Sequence, residues 1–223
     1  PLGPLFRSYE RFLLNLPVAA RLYLSDFSLE LSRQLGLDQT ENDIIEPGIS
    51  HDEYWADDEK NGVLFAGKFE GRKGVQQVLE VAADLHEIPF TLLGWGGDAV
   101  FRGKEIPSNV SIIGFESRTQ LAGLMARSRV FVFPTQVETF GLALAEAMAS
   151  GCAIVSSSQL PFAGIKVGRE DTSSMANAIA ELCEQPDLCV RLGRENQTLV
   201  KRYNWDSHGK ELLKKYRKIL NIS

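Results

Sequence analysis

The sequence has few cysteines and no long apolar run. Its three cysteines are an odd number without metal-ligand spacing, which argues against a disulfide framework or a zinc site and favours reduced core residues. No stretch approaches the ~20 apolar residues of a membrane span, and no signal peptide is visible. These absences predict a cytoplasmic protein, with peripheral contact at the inner membrane face at most.

A strong excess of one charge is also absent. The 24 basic and 29 acidic residues leave a formal net charge of −5, which excludes the broad positive field of a nucleic-acid-binding protein. The histidines His51, His86 and His208 lie far apart in sequence, so no metal site is expected from them. Apolar residues make up 44% of the chain, which is enough for a sizeable core.

From Gly62 onward, short apolar runs alternate with amphipathic stretches. The runs are rich in Val, Ile, Leu and Phe and have the length of buried parallel strands. The predicted strands are 63–66, 89–93, 110–113, 130–133 and 153–155, and the predicted helices are 74–85, 118–127, 142–150, 171–184, 187–202 and 206–220. Such alternation predicts an α/β fold with a doubly wound parallel sheet.

The residues before Gly62 are less regular. They predict a short amphipathic helix over 4–20, a strand at 21–24, a helix that Ser25 caps and that runs through Leu35, a strand at 44–49, and a polar connector over 51–61.

Residues 130–158 form the most informative segment of the chain. A predicted strand is followed by a turn, by a helix that ends at Gly151, and by another strand. Glu138 lies in the loop after the first strand, and Glu146 lies about one turn into the helix. In open α/β sheets, ligands bind at this edge, where helix N-termini present backbone N–H groups. Two carboxylates there suit hydroxyl groups, which a carboxylate can bind in pairs.

This segment resembles the E-x7-E signature of the retaining GT-B glycosyltransferases, in particular family four. The residues that carry the resemblance are Pro134, Glu138, Phe140, Gly141, Leu142, Glu146, Ala147, Met148, Ala149 and Gly151. The resemblance implies that Glu146 holds the ribose hydroxyls of a nucleotide and that Glu138 binds the donor sugar near its reacting carbon. It also implies that Phe140, Gly141 and Leu142 offer backbone N–H groups to the sugar or phosphate. The simpler alternatives are an acid near a helix N-terminus for Glu138 and an exposed helix residue for Glu146.

A second motif, Gly-Lys-Phe-Glu-Gly-Arg-Lys-Gly at 67–74, resembles the family's G-R-L-x-x-x-K-G segment. Gly67 allows close backbone approach, and the cations Lys68, Arg72 and Lys73 suit a diphosphate. The resemblance makes Lys68 and Lys73 catalytic candidates with Glu138. Lysine stands at 68 where the family usually has arginine, so the two-pronged contact is lost and Arg72 is the candidate to compensate. The simpler alternative is solvated cations at a helix start. Cations there oppose the helix dipole, which argues against this alternative, and a bound anion would remove the conflict.

Two further strand-end turns complete the predicted nucleotide edge. Gly94 lies in Leu-Leu-Gly-Trp-Gly-Gly-Asp at 92–98, which resembles the family's glycine-bearing turn beside the nucleotide. Trp95 is expected to pack on neighbouring loops rather than to serve as a platform for the base or sugar. Gly114 and Phe115 follow the next strand, where similar enzymes flank the nucleobase, and an ordinary turn is the alternative.

The chain differs from complete GT-B enzymes in two places. Residues 1–44 resemble only the end of the acceptor-binding half, so a donor-binding domain with a closing helix is expected over 45–223. An acceptor half is then expected from elsewhere, unless the chain is an excised fragment. After Ser158 the sequence runs from Gln159 straight to Gly164, without the Gly-Gly-x-x-Glu loop of relatives.

The sequence therefore predicts the donor-binding half of a retaining, metal-independent hexosyltransferase. Its donor would be a nucleotide-diphosphate sugar, its acceptor a glycan, a lipid-linked molecule or a protein, and no cofactor is expected. The alternatives are a catalytically silent nucleotide-binding or interaction domain of the same fold, or a GT-B phosphorylase or epimerase. A phosphorylase would need a pyridoxal-phosphate lysine site, which the sequence does not reveal. The isolated chain is expected to be inactive without an N-terminal half.

Overall fold

The computed structural model of the protein describes residues 12, 16, 18–36, 42–168 and 170–221. By internal contacts the chain divides into two compact units. The first comprises the described parts of Pro1–Gly48 and of Tyr203–Ser223, and the second is Ile49–Arg202. The partition thus groups the closing helix with the N-terminal segment, while the boundary expected after residue 44 stays a prediction.

Strands and helices alternate in the middle of the chain, from residue 61 to residue 156. In chain order they are β1 (Arg21–Tyr23), α1 (Asp26–Gln34), β2 (Asn42–Ile44), β3 (Asn61–Phe69), α2 (Val75–Asp84), β4 (Phe90–Gly96), α3 (Asp98–Phe101), β5 (Val110–Gly114), α4 (Arg118–Arg127), β6 (Ser128–Phe133), α5 (Leu142–Ala149), β7 (Ala153–Ser156), β8 (Gly164–Lys166), α6 (Thr172–Glu184), α7 (Pro186–Leu199) and α8 (Trp205–Leu220).

The second unit is built on a six-stranded sheet with the strand order β5-β4-β3-β6-β7-β8. Every neighbouring pair in this sheet is parallel. The predicted doubly wound parallel sheet is therefore confirmed. Because the chain winds outward from β3 through β4 and β5, and then from β6 in the other direction, the order reverses between β3 and β6. In open α/β sheets, ligands bind at the carboxyl ends of the strands that flank such a reversal.

The core lies on both faces of this sheet. On one face, Val63 and Phe65 of β3 join a buried cluster that includes Val78 of α2 and Ile179 of α6. Since successive side chains of a strand point to opposite faces, Leu64 between them faces the other way and is fully buried there. Helices α4 and α5 contact the strands and each other. The centre of the sheet is thus buried on both faces.

The predicted strand at 44–49 is wrong. The strand is Asn42–Ile44, and it pairs in parallel with β1 over three residues. β2 ends with β1, which also has only three residues. The Ile45 N–H still donates to the carbonyl oxygen of Tyr23, the last residue of β1, at 2.9 Å. The predicted helix over 4–20 lies almost entirely outside the described residues.

Two central strands are longer than predicted. β3 continues through Phe69, so Lys68 lies inside the strand rather than after it, and β4 continues through Gly96. The reason is the pairing of Gly67 with Gly94. A Cβ atom at Gly94 would lie 1.9 Å from the Gly67 carbonyl oxygen. The two strands approach so closely here only because Gly94 has no side chain. The short helix α3 was not predicted.

The three cysteines are free thiols. Cys152 and Cys189 are buried and Cys183 is partly buried, which confirms that most of them are core residues. Burial raises the pKa of the Cys152 and Cys189 thiols to about 11, which keeps them protonated and unreactive at neutral pH. Within the described residues, no helix combines the length and the apolar character that a bilayer crossing needs.

Candidate functional site

Two loops meet at the point where the strand order reverses. Lys73 ends a 3-10 turn, Gly71–Lys73, that follows β3, and Glu138 lies in the loop after β6. Lys73 Nζ donates a hydrogen bond to Glu138 Oε2 at 2.6 Å, and these side chains are only 19% and 20% exposed. A charge-assisted bond that is largely shielded from water is stronger than a surface ion pair. The sequence assigned these residues to different parts of a donor, and the structure joins them directly.

The two loops are held together by backbone contacts. The Gln136 N–H donates to the Arg72 carbonyl oxygen at 2.8 Å. Gly74 has a φ of 76°, and a Cβ atom there would lie 2.3 Å from the Pro134 carbonyl oxygen. Gly74 is thus required both by its left-handed conformation and by this close approach. The glycine predicted as part of a diphosphate motif positions Lys73 against Glu138.

Replacing Gly74 with alanine is expected to destabilise the protein by about 2 kcal/mol or more. Alanine disfavours the positive φ at this position, and its Cβ atom would collide with the backbone of Pro134. Gly71→Ala is the matched control in the same turn, because no atom lies within 4 Å of its Cβ position. Urea unfolding of the two variants measures the difference. Equal losses of unfolding free energy would show that the close approach to Pro134 is not a constraint.

The other predicted cations, Lys68 and Arg72, gather around Glu70. Lys68 Nζ lies 3.2 Å from Glu70 Oε2, and Arg72 Nε lies 2.5 Å from Glu70 Oε1. Both cations are at least half exposed, unlike Lys73. The end of β3 and the turn after it therefore carry one shielded cation and two accessible ones. This arrangement can attract a doubly charged anion such as a diphosphate.

Helix α5 begins beside this cluster. Phe140 is buried and anchors the loop, while Leu142 is exposed at the first helical position. The N-cap residue is Gly141, with a φ of 100° and no side-chain capping bond. The first-turn N–H groups of the helix, with the positive end of its dipole, thus suit an anion or a sugar oxygen. Glu138 lies close by, with its Cγ 3.4 Å from the position of a Cβ on Gly141.

Glu146 is buried one turn into α5 and is only 6% exposed. The alternative of an exposed helix residue is therefore wrong. Arg118 Nη2 donates to Glu146 Oε1 at 3.2 Å, and the hydroxyl of Tyr54 is also hydrogen-bonded to this carboxylate. Burial raises the pKa of Glu146 above its ordinary value, although Tyr54 and Arg118 act in the opposite direction.

Sequence reasoning missed Arg118 and Tyr54. Arg118 appeared only as the first residue of a predicted helix, which α4 confirms, with Ser117 as its N-cap. A cation in the first turn of a helix opposes the dipole, and the same signal that singled out Lys73 also applied to Arg118. Tyr54 lies in the polar connector, where no local pattern marked it.

The remaining predicted residues lie at the carboxyl ends of β3, β4 and β5. There is space around positions 67 and 114. A Cβ atom at Gly67 would contact only the Phe65 ring, and a Cβ atom at Gly114 would have no atom within 4 Å. Trp95 and Phe115 are partly exposed, with ring centroids 5.9 Å apart. Trp95 thus packs on a neighbouring turn, as predicted, but remains 54% exposed.

A cavity of about 830 Å³ lies at the opposite, amino-terminal edge of the sheet and is lined in part by Lys60 and Arg129. Both cations are already used inside the protein. Lys60 Nζ donates to the carbonyl oxygens of Met125, Ser128 and Ser150, and Arg129 donates to those of Cys183 and Lys60. This edge therefore serves to cap helix and strand ends. Among the described residues, no group of three or more His, Cys, Asp or Glu side chains could hold a metal ion.

Comparison with known proteins gives a family match. The family model described as glycosyl transferases group 1 matches residues 49–199, nearly the same range as the unit Ile49–Arg202. The chain is 24% identical over 180 residues to the alpha-D-kanosaminyltransferase of Streptomyces kanamyceticus, covering 73% of this chain and 47% of that protein. It is 26% identical over 173 residues to the phosphatidyl-myo-inositol mannosyltransferase of Mycolicibacterium smegmatis, covering 70% and 45%.

Solved structures share the fold over nearly the whole chain. The sucrose-phosphate synthase of Thermosynechococcus elongatus superposes with a TM-score of 0.84 at 19% identity, covering 99% of this chain and 63% of that one. HepE of Anabaena, in complex with UDP and glucose, superposes with a TM-score of 0.81 at 15% identity, covering 94% and 66%. The chain spans about half the length of the curated relatives it matches.

Proposed function

Because the chain belongs to the glycosyl transferases group 1 family and has the Rossmann-like fold of GT-B glycosyltransferases, we propose that it supplies the donor-binding half of a retaining glycosyltransferase. This enzyme transfers a sugar from a nucleotide-diphosphate sugar to an acceptor hydroxyl. The observation that carries the proposal is the shielded Lys73–Glu138 pair at the reversal of strand order, beside the start of α5. It joins a phosphate-binding cation to a hydroxyl-binding carboxylate at one point.

In the proposed complex, each part of the donor meets a different group. The diphosphate lies against Lys73, with Lys68 and Arg72 nearby, and against the first N–H groups of α5. Because the phosphate oxygens compete for Lys73, Glu138 is released to accept hydrogen bonds from sugar hydroxyls. Glu146 holds the ribose, and the base lies near the β5 turn.

The proposed reaction breaks the bond between the anomeric carbon and the diphosphate through an oxocarbenium-like state. Negative charge then grows on the leaving diphosphate, where the cations of the 67–74 segment stabilise it without a metal ion. The acceptor oxygen bonds to the anomeric carbon from the face that the diphosphate leaves, which retains the configuration of this carbon. The proton of the acceptor hydroxyl passes to the leaving diphosphate. The carboxylates orient the sugar and nucleotide during this step.

The acceptor is proposed only as a class. The relatives include a kanosaminyltransferase and a phosphatidyl-myo-inositol mannosyltransferase, so acceptors differ widely among similar proteins. A glycan, a lipid-linked molecule or a protein therefore all fit, and the choice is assigned to an N-terminal half. The predicted cytoplasmic location, with peripheral membrane contact at most, stays a prediction.

The test is calorimetric titration of the chain with UDP, GDP and ADP in the presence of EDTA. UDP is tried first because a structural relative was solved with it. At least one of the three is expected to bind without magnesium, since cations rather than a metal ion face the diphosphate. Binding that appears only with a divalent metal would contradict the cation-based site. Binding of none of the three would favour a catalytically silent interaction domain of the same fold.

In the same titration, Glu146→Ala is expected to weaken nucleoside-diphosphate binding more than Glu138→Ala does. Every nucleotide carries a ribose, whereas the sugar assigned to Glu138 is absent from UDP. Losing a charged hydrogen-bond partner costs about 1.5–3 kcal/mol, or roughly ten- to a hundred-fold in affinity. Equal losses for the two variants would refute this division of roles.

A further inference from the structure

Arg118 links three side chains around Glu146. Its Nε donates to Glu53 Oε2 at 2.9 Å, and its Nη2 donates to the Tyr54 hydroxyl at 3.0 Å and to Glu146 Oε1 at 3.2 Å. The four residues come from the 3-10 turn His51–Glu53 and the residue directly after it, from the start of α4, and from α5. The guanidinium is thus tied to Glu53 at one side and to the buried carboxylate at the other.

The hydrogen bonds fix the direction of each proton. The Tyr54 hydroxyl accepts from Arg118, so its own proton is available for the carboxylate of Glu146. Burial together with the nearby Glu146 charge raises the pKa of Tyr54, which keeps the hydroxyl a donor. An ionised carboxylate can accept about four hydrogen bonds. Arg118 and Tyr54 use two of these positions, which leaves two for the paired hydroxyls of a ribose.

The charge on Glu146 depends on this network. Burial works against ionisation and so raises its pKa, and the like charge of Glu53 adds to this. The hydrogen bond from Tyr54 and the charge and hydrogen bond of Arg118 lower it again. Glu53, Tyr54 and Arg118 are the titratable groups that act on Glu146 among the described residues. Arg118 is the one cation among them, so its removal leaves burial and Glu53 opposed only by a hydroxyl.

We propose that Arg118 is a positioning residue that holds Glu146 ionised and aims its remaining acceptor positions at the nucleotide. The inference deepens the proposed function, on which it rests, and it assigns Arg118 no contact with the ligand. Glu53 restrains the guanidinium from the other side, which fixes the geometry before the nucleotide arrives. Pre-ordering a binding group in this way reduces the ordering cost of binding.

The test is the pH dependence of UDP binding, or of whichever nucleoside diphosphate binds, for the wild type and for Arg118→Gln. The ionised carboxylate accepts hydrogen bonds from the ribose hydroxyls more strongly than the neutral acid does, so affinity is expected to fall as pH drops through the pKa of Glu146. In Arg118→Gln this midpoint is expected to move about one unit higher, since an adjacent opposite charge lowers a carboxyl pKa by about 1–3 units and Arg118 is half exposed. Arg127→Gln removes the same charge from the other end of α4, and its midpoint should match that of the wild type.

Two milder variants keep the test decisive if Arg118→Gln does not fold. Arg118→Lys retains the charge but lacks the two-pronged geometry, and Tyr54→Phe removes only the hydroxyl. Both midpoints are expected to move up by less than that of Arg118→Gln. An affinity that falls by the same factor at every pH, with an unchanged midpoint, would show that Arg118 binds the nucleotide directly and would overturn the proposal. A pH profile that is unchanged in all three variants would overturn it as well.

A second measurement separates this proposal from the proposed function. The carboxyl group of Glu146 is titrated by carbon-13 NMR in the chain without nucleotide, for the wild type and Arg118→Gln. A higher Glu146 pKa in the variant supports the role of Arg118, and an unchanged pKa overturns it, whatever the binding experiments give. Failure of the wild type to bind any nucleoside diphosphate would instead refute the proposed function, while the NMR titration still decides whether Arg118 controls Glu146.

Discussion

Assayed by itself, the 223-residue chain is expected to transfer sugar roughly 10³-fold or more slowly than the same chain supplied with an acceptor-binding half. The described residues contain one six-stranded sheet, whose carboxyl edge carries the proposed donor groups, and a two-stranded pair. Transfer requires the acceptor hydroxyl to be held about 3–3.5 Å from the reacting carbon. The side chains of the proposed site are all assigned to the donor. An acceptor that is not held in place then competes with water for reaction at the anomeric carbon.

The measurement compares product formation by the chain alone with that after addition of the N-terminal half of a relative, either fused or as a separate protein. Slow hydrolysis of the donor is the most that the chain alone should show. The added half alone, without the 223 residues, serves as the control for its own background. Rapid transfer by the chain alone would place the acceptor site within it, and the division into two halves would have to be abandoned.

In an enzyme assembled in this way, Lys73→Met is expected to slow sugar transfer by roughly 10²–10³-fold. The substitution keeps much of the side-chain length but removes the charge that meets the developing negative charge of the diphosphate. Because Lys73 is mostly shielded from water, solvent and salt cannot replace its charge effectively. Single-turnover rates at saturating donor measure this loss apart from any loss of binding.

Lys68→Met is the matched control from the same segment. Lys68 is half exposed, and both Lys68 and Arg72 form ion pairs with Glu70. The charge of Lys68 is therefore more strongly screened by solvent, and the charge of Arg72 can replace it. Its loss is expected to cost about ten-fold or less. If the two variants lose equal activity, or if Lys68→Met loses more, the shielded pair with Glu138 is not the centre of the charge stabilisation.

The local features of the site could be predicted from the sequence. The strand, loop and helix around Glu138 and Glu146 follow from apolar periodicity and from the glycine that ends α5, and both depend on residues only a few positions apart. Glycine at 74 likewise predicted the start of α2. The class of fold followed from the alternation of such segments, since alternating strands and helices are typical of an α/β fold with a parallel sheet.

The contacts that build the site depend on tertiary structure. Lys73 and Glu138 are 65 positions apart, and Arg118 and Glu146 are 28 apart. They meet only because β6 inserts beside β3 and because α4 packs next to α5. Neighbour order in a sheet is decided by the packing of both faces at once, which no local pattern specifies. The sequence by itself therefore determined the fold class and the candidate residues. The tertiary structure decided which of them form ion pairs and how deeply Glu146 is buried.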